Sequence, residues 1–317
     1  MTPRAHRTSS AALATLVLVA TAACAGDPAG PDTDPRTGGA PAASGPGSRG
    51  AVDLPPLSRA DAPWQVVRQV EASERAIRDP GTDGRTLAAA GRLQQLAYRT
   101  LAERTAWDAR VADLLAPGLR GAVRDNVAAR RAMLDLQREY PANETLPAWR
   151  VVDPLPAAEL RGYYAEAQRE FGVGWEHLAA IHLVETGMGR IEGDSVAGAR
   201  GPMQFIDETW ARYGEGDVTD PRDAILGAGR YLAARGFTAG DDAAIDDAVY
   251  AYNNDVRYVR AIRLHAAVME RNPRTYLGYH AWDVVFSTAR GDVTLPVGYD
   301  SDEPIPVDRW LRDHPQP

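Results

Sequence analysis

The chain has 317 residues, 44% of them apolar and 25% charged, enough for one large or two moderate globular domains with true cores. Its net charge is −8 and all 35 basic residues are arginine; without a basic run, this acidic balance gives no case for nucleic acid as a partner. A single cysteine, Cys24, excludes a disulfide within the chain, and six scattered histidines offer no metal-ligand spacing, so no metal or other cofactor is implied.

Residues 1–24 read as an export signal. Arg4 and Arg7 supply the charged start, and the apolar stretch 11–20 ("AALATLVLVA") is too short to span a bilayer permanently. Cys24 directly follows small residues and resembles the acylation site of bacterial lipoproteins, although Thr21 stands where a branched aliphatic residue is usual. Lipidation at Cys24 places the protein outside the cytoplasm, anchored to the membrane and facing the cell wall. Ordinary signal cleavage, giving a secreted protein, is the alternative. Stable anchoring needs two or more acyl chains. Residues 25–57 are rich in Gly, Pro, Ser and Ala and nearly devoid of large apolar side chains, the composition of a disordered tether.

Residues 58–140 carry helical periodicity. Val66, Val70 and Ile77 form one stripe, Leu93, Leu96, Ala97 and Leu101 a second, and Val123, Val127 and Leu134 a third. Breaks at 79–84 ("DPGTDG") and 116–118 ("APG") divide this small N-terminal domain into three helices without a chemical constellation. "PANETLPAW" then reads as a linker.

A second helical region covers 155–270. "AELRGYYAEAQREFG" and "WEHLAAIHLVETG" are its first helices, and "DETWARYG" is short, with Asp207 as N-cap and Gly214 as stop. "DPRDAILGAGRYLAARG" has Asp220 at the N-cap, Pro221 at the first helical position and Gly236 as its end. "DDAAIDDAVYAYNN" and "DVRYVRAIRLHAAVME" complete the set. Residues 271–317 form a C-terminal extension with a small hairpin around a Gly-Asp, and Arg290-Gly291-Asp292 reads as its turn.

In "WEHLAAIHLVETG", Leu178, Ile181, His182 and Glu185 fall at i, i+3, i+4 and i+7, so Glu185 continues an otherwise apolar stripe. Gly187 ends the helix and leaves Glu185 in its last turn. Desolvation and the negative end of the helix dipole both raise the pKa of a carboxyl there, which suits a general acid. A glutamate turned to solvent, or paired with Arg190 or Arg200, is the alternative. His182 reads as a packed helix residue.

The context after Glu185 is "GDSVAGARGPMQFIDETW", and "AVYAYNN" follows some fifty residues later. Together these resemble the lysozyme-like domain of lytic transglycosylases, which cleave the glycan strands of peptidoglycan. The matching positions, over about residues 160–270, are Glu185, then Ser195, Gly198, Ala199, Gly201, Met203 and Gln204, then Thr209, then Ala251-Tyr252-Asn253. "GPMQF" and "DPRDAI…AGRYL" look most like secreted actinobacterial members. Thr186, Asp207 and Asn254 depart from the usual serine, proline and glycine.

The resemblance implies an all-α, goose-type lysozyme-like catalytic domain, preceded by the small helical domain and followed by the hairpin extension. It implies cleavage of the β-1,4 bond between N-acetylmuramic acid and N-acetylglucosamine with 1,6-anhydromuramic ends. A single carboxyl, Glu185, acts as acid and then base, assisted by the sugar's acetamido group. Tyr252 is expected to hydrogen-bond to Glu185, Ser195 and Gln204 to hold N-acetyl or hydroxyl groups, Asn253 to line the substrate site, and the glycines to let the backbone approach the glycan. Met203 and Phe205 are walls and core. Glu192 or Asp194, serving as a second carboxylate, would instead make a hydrolytic muramidase. Trp175, Trp210, Tyr213 and Tyr258 are aromatics that stack on sugars or, as their helical spacing favours, fill the core. A weakly active glycan-binding scaffold lipoprotein, with 58–140 docking cell-wall machinery, is the remaining alternative.

Overall fold

The computed structural model describes residues 53–195 and 197–316. The expected export signal, Cys24 and most of the expected tether lie outside the described residues. Residues 53–57, which the composition assigns to the tether, include Leu54, packed against Ala76, Ile77 and Ala90.

The first helix, α1 (Pro63–Arg78), starts where Pro63 needs no N–H partner and Gln65 Oε1 accepts from the N–H groups of Asp61 and Ala62. Asp83 caps α2 (Gly84–Glu103) by accepting from Arg85 and Thr86 N–H. A helix absent from the sequence reading, α3 (Asp108–Leu114), precedes α4 (Pro117–Gln137), which again opens on proline. It buries Val111 beside Val66, Val70, Leu101, Val123 and Val127, members of the expected stripes.

"PANETLPAW" is not a free linker. Its strand β1 (Thr145–Leu146) has a partner beyond residue 300, described below, and β2 (Arg150–Val151) pairs antiparallel with β3 (Ile191–Glu192). Trp149 is buried, and Asn143 Nδ2 donates to Ser287 O. Isolated polar residues give no sign of these partners, which lie from about forty to more than a hundred and fifty residues away.

Next come α5 (Ala157–Phe171), α6 (Trp175–Thr186), α7 (Asp207–Tyr213), α8 (Pro221–Ala234), α9 (Asp242–Tyr252), α10 (Val256–Arg271) and a short unexpected α11 (Thr275–His280). Asp220 caps α8 as expected, accepting from Asp223 N–H. Asp207 does not cap α7: the cap position belongs to Ile206, while Asp207 sits one residue inside and pairs with Arg200. The hairpin joins β4 (Val284–Thr288) to β5 (Gly291–Leu295), with Thr288 opposite Gly291. Finally β6 (Ile305–Pro306) pairs with β1 and leads into α12 (Val307–Asp313). The fold is all-α, with three small strand pairs among the described residues. Among the described residues, no helix is long and apolar enough to cross a membrane.

The main core wraps α6, whose Leu178, Ala179, Ala180, Ile181 and His182 are fully buried among α5, α8 and α10. A helix apolar nearly all round belongs in such a centre. The N-terminal helices share this body: α4 lies along α10, and α2 packs against α11. Tyr279 Oη donates to Asn126 Oδ1 at 2.6 Å, and Arg271 pairs with Asp125 at 2.6 Å. These contacts bring α2 and α4 to the rim of the site.

Candidate active site

Glu185 occupies the last turn of α6, where Gly187 takes a left-handed conformation (φ 61°). Gly187 N–H donates to Leu183 O and Met188 N–H to His182 O, so these two carbonyls near the helix end are satisfied as the chain reverses. Thr186, fully buried, locks the reversal from inside: its hydroxyl donates to Pro202 O at 2.7 Å and accepts from Gly189 N–H at 3.0 Å. A serine hydroxyl could make the same two bonds, so Thr186 in place of the usual serine leaves them available.

The loop after α6 is built on its own backbone. Ser195 Oγ accepts from Ala199 N–H at 2.9 Å, and Ser195 N–H donates to Ala199 O. Arg200 and Phe205 exchange two backbone bonds of 2.9 Å, enclosing the turn 201–204. Gly201 has φ 72°, and a Cβ there would stand 1.9 Å from Val218 O. Its freedom serves close approach of two segments of this chain rather than approach to a glycan. Gln204 holds φ 51°, a strained value for a side-chain-bearing residue, and its Nε2 donates to Gly201 O at 2.9 Å. Its Oε1 is buried without a partner. Met203 and Phe205 are buried, as expected of walls and core.

Two cavities meet at Glu185. The larger, about 540 Å³, runs between Leu183–Glu185, α2, α4 and the hairpin. The smaller, about 70 Å³, is lined by Ala199, Gln204, Phe205, Tyr252 and Asn253 among others. Glu185 lines both. Ser195 lines neither; the structure gives its hydroxyl oxygen to loop closure. Asn253, expected to face substrate, is buried at the end of α9 and lines the smaller cavity.

Tyr258, in the first turn of α10, donates to Glu185 Oε1 at 2.7 Å. Tyr252, expected in that role, instead donates to Met203 O at 2.6 Å and ties α9 to the glycine-rich loop. The reason is geometric: Tyr252 ends α9, whereas Tyr258 opens the helix that packs directly on α6. By sequence Tyr258 belongs with the core or sugar-stacking aromatics. The available signal was the buried stripe Tyr258, Ile262, His265 and Met269, which marks it as inward-facing but not as a partner of Glu185.

Burial pushes the Glu185 carboxyl up to about 7, against the hydrogen bond from Tyr258 that favours its ionised form. Arg190 instead donates to His280 O, and Arg200 pairs with Asp207, so neither forms an ion pair with it. Glu192 is exposed and paired with Arg150 at 3.1 Å, and Asp194 is exposed; neither lines either cavity. The other acid on the larger cavity, Asp283, is held by Arg92 at 3.1 Å. His182 is sealed beneath, its Nδ1 2.7 Å from the Tyr164 hydroxyl, and burial pushes it down to about 3. It is a neutral core residue. Trp175 is likewise buried, stacked under the Arg161 guanidinium.

The arrangement provides one protonatable carboxyl at the junction of two cavities, with a buried, unpartnered amide oxygen on one wall. No family model matches the chain, and no solved structure matches it. Over 80 residues it is 40% identical to the membrane-bound lytic murein transglycosylase F of Thiobacillus denitrificans, covering 25% of this chain and 17% of that protein. Over 83 residues it is 35% identical to the membrane-bound lytic murein transglycosylase F 1 of Alkalilimnicola ehrlichii, covering 26% of this chain and 16% of the relative. The chain thus spans less than a fifth of the length of these relatives. Part of the chain is similar to lytic murein transglycosylases, and the all-α fold agrees with the lysozyme-like class expected from the motifs.

Proposed function

We propose that this protein is a peptidoglycan lytic transglycosylase that cleaves the β-1,4 bond between N-acetylmuramic acid and N-acetylglucosamine and leaves 1,6-anhydromuramic ends. The observation that carries the reading is the position of Glu185, a carboxyl raised to about 7 where two cavities meet. A glycan strand laid through both cavities sets its scissile oxygen beside that carboxyl. Tyr258 occupies Oε1, so the proton delivered to the leaving oxygen sits on Oε2. Such proton delivery supplies about 10²–10⁴ in rate.

As the bond breaks, the positive charge on the anomeric carbon is met by the sugar's acetamido oxygen. The Glu185 carboxylate then draws the proton from the C6 hydroxyl, whose oxygen closes the anhydro ring, and the carboxyl is regenerated. Gln204 Oε1, buried and unpartnered on the smaller cavity, suits an acetamido N–H. Ser195 acts by holding the loop, and Tyr252 by anchoring it to α9. Glu192 and Asp194 are exposed and line neither cavity, which favours one-carboxyl chemistry over the two-carboxylate hydrolysis of a muramidase.

The reading places the domain outside the cytoplasmic membrane, with acylation of Cys24 as its anchor and the actinobacterial secreted enzymes as its nearest type. Mass spectrometry of muropeptides released from purified cell wall tests it. Anhydromuramic ends from the wild type and none from Glu185→Gln are expected. Reducing muramic ends mean a muramidase, and wall binding without release in either form means a scaffold.

A further inference from the structure

The larger cavity carries a charge arrangement that glycan cleavage does not require. Arg99 of α2 and Arg130 of α4 both reach Asp292 of the hairpin, so two guanidinium groups share one carboxylate. Arg99 takes most of it: its Nε donates to Asp292 Oδ2 at 2.8 Å, and Ser287 Oγ donates to Oδ1 at 2.8 Å. Arg130 is left with marginal contacts, 3.5 Å to Asp292 and 3.3 Å to Ser287, and its Nε is buried without any partner. Both arginines line the cavity that also exposes Glu185. Burial, and then the neighbouring Arg99, push the Arg130 guanidinium down to about 9, as befits a cation short of counter-charge.

A half-satisfied, partly buried guanidinium is costly unless an anion completes it, and a carboxylate fits its planar fork. Nearby, Gln137 Oε1 is also buried without a partner, an acceptor suited to a peptide N–H. In peptidoglycan, the muramic sugar carries a peptide on its lactyl group, and that peptide bears free carboxylates. The peptide leaves the strand beside the bond that Glu185 faces, and the cavity leads from there to Arg130.

We propose that the larger cavity binds the peptide stem of the glycan through a stem carboxylate on Arg130, whose guanidinium is left largely uncompensated because Arg99 engages Asp292. This rests on the peptidoglycan reading above and assigns to α2 and α4 a direct part in choosing substrate.

The test is calorimetric titration of the full chain with a disaccharide tetrapeptide, and with the same compound after its carboxylates are converted to amides. The wild type is expected to bind the carboxylate form about tenfold or more tightly, with the preference shrinking as salt rises. Arg130→Gln is expected to bind both forms alike, and Arg130→Lys to restore part of the preference; thermal unfolding checks that each variant is folded. Should Arg130→Gln not fold, the Arg130→Lys titration and the salt dependence of the wild type decide. Equal affinity of the wild type for both forms, no binding of either, or a preference kept in Arg130→Gln overturns the proposal. Arg130-dependent binding without release of anhydro products upholds the site and rejects the transglycosylase reading. Anhydro product from wall without carboxylate preference does the reverse.

Discussion

The hydroxyl of Tyr258 donates a 2.7 Å hydrogen bond to Glu185 Oε1, joining the first turn of α10 to the last turn of α6. That bond favours the ionised carboxylate, while burial favours the neutral acid and wins, bringing Glu185 up to about 7. Removing it in Tyr258→Phe lets burial act alone, so the Glu185 pKa rises further. A general acid is active while protonated, and the alkaline limb of the rate profile therefore moves to higher pH in the variant. The rate also falls, by about tenfold, because the carboxyl loses its orientation. A pH–rate profile of glycan release checks this; a lower rate with an unmoved alkaline limb would reject the coupling.

The same raised pKa makes Glu185 a source of instability above neutrality. In the unfolded chain a glutamate titrates near 4.5, in the fold near 7, so between these values the folded state holds more protons. Stability then decreases as pH rises from about 4.5 through 7 and levels off beyond. At pH 8 the full cost is present, on the order of 2 kcal/mol after allowance for the open cavity beside the carboxyl. Glu185→Gln is expected to unfold at a higher temperature than the wild type at pH 8, with the gap closing towards pH 4.5. Calorimetric melting at both pH values measures it. A gap of equal size at both would assign the effect to packing.

Much of this site was legible because its elements are local. The apolar spacing that ends in Glu185 and Gly187 defined the end of α6, and "DP" defined the start of α8. What could not be read was which distant groups meet. Tyr252 and Tyr258 are both inward-facing aromatics near the same motif, and only the packing of α10 on α6 decides that the second reaches Glu185. Arg99, Arg130 and Asp292 are unremarkable surface charges in the sequence, and they become a partly buried cluster because α2, α4 and the hairpin converge. Ser195 and Gly201 carry the loop motif, yet their bonds and close approaches are internal to the chain.

Gly201 allows a sharp test of that internal role. An added Cβ would stand 1.9 Å from Val218 O, a backbone atom that cannot rotate away, and the residue holds φ 72°. Gly201→Ala must therefore displace the turn that carries Gln204, at a cost of about 1–3 kcal/mol. Glycan release is expected to drop with KM raised, since the Gln204 acceptor leaves the smaller cavity. Gly198 also has a positive φ (75°), but its Cβ would meet open space. Gly198→Ala should thus be milder than Gly201→Ala, and the reverse order would refute close packing as the reason for Gly201.

The acid side of the activity profile is expected to reflect the fold rather than Glu185. His182 is pushed down to about 3 and His265 to about 4, in both cases by burial, against a usual value near 6.5. The unfolded chain then binds protons that the folded chain refuses, so stability is present above about 6.5 and is lost as pH falls below it. By pH 5 each histidine removes about 2 kcal/mol, a large share of the roughly 5–15 kcal/mol that holds a domain. His182→Gln keeps an acceptor for the Tyr164 hydroxyl but cannot be protonated. Its melting temperature should therefore fall less steeply between pH 7 and pH 5 than that of the wild type. Activity lost on the acid side should follow the melting curve of each protein, since in the proposed mechanism the protonated form of Glu185 is the competent acid. If activity instead falls where both proteins remain folded, a second titrating group takes part in the reaction.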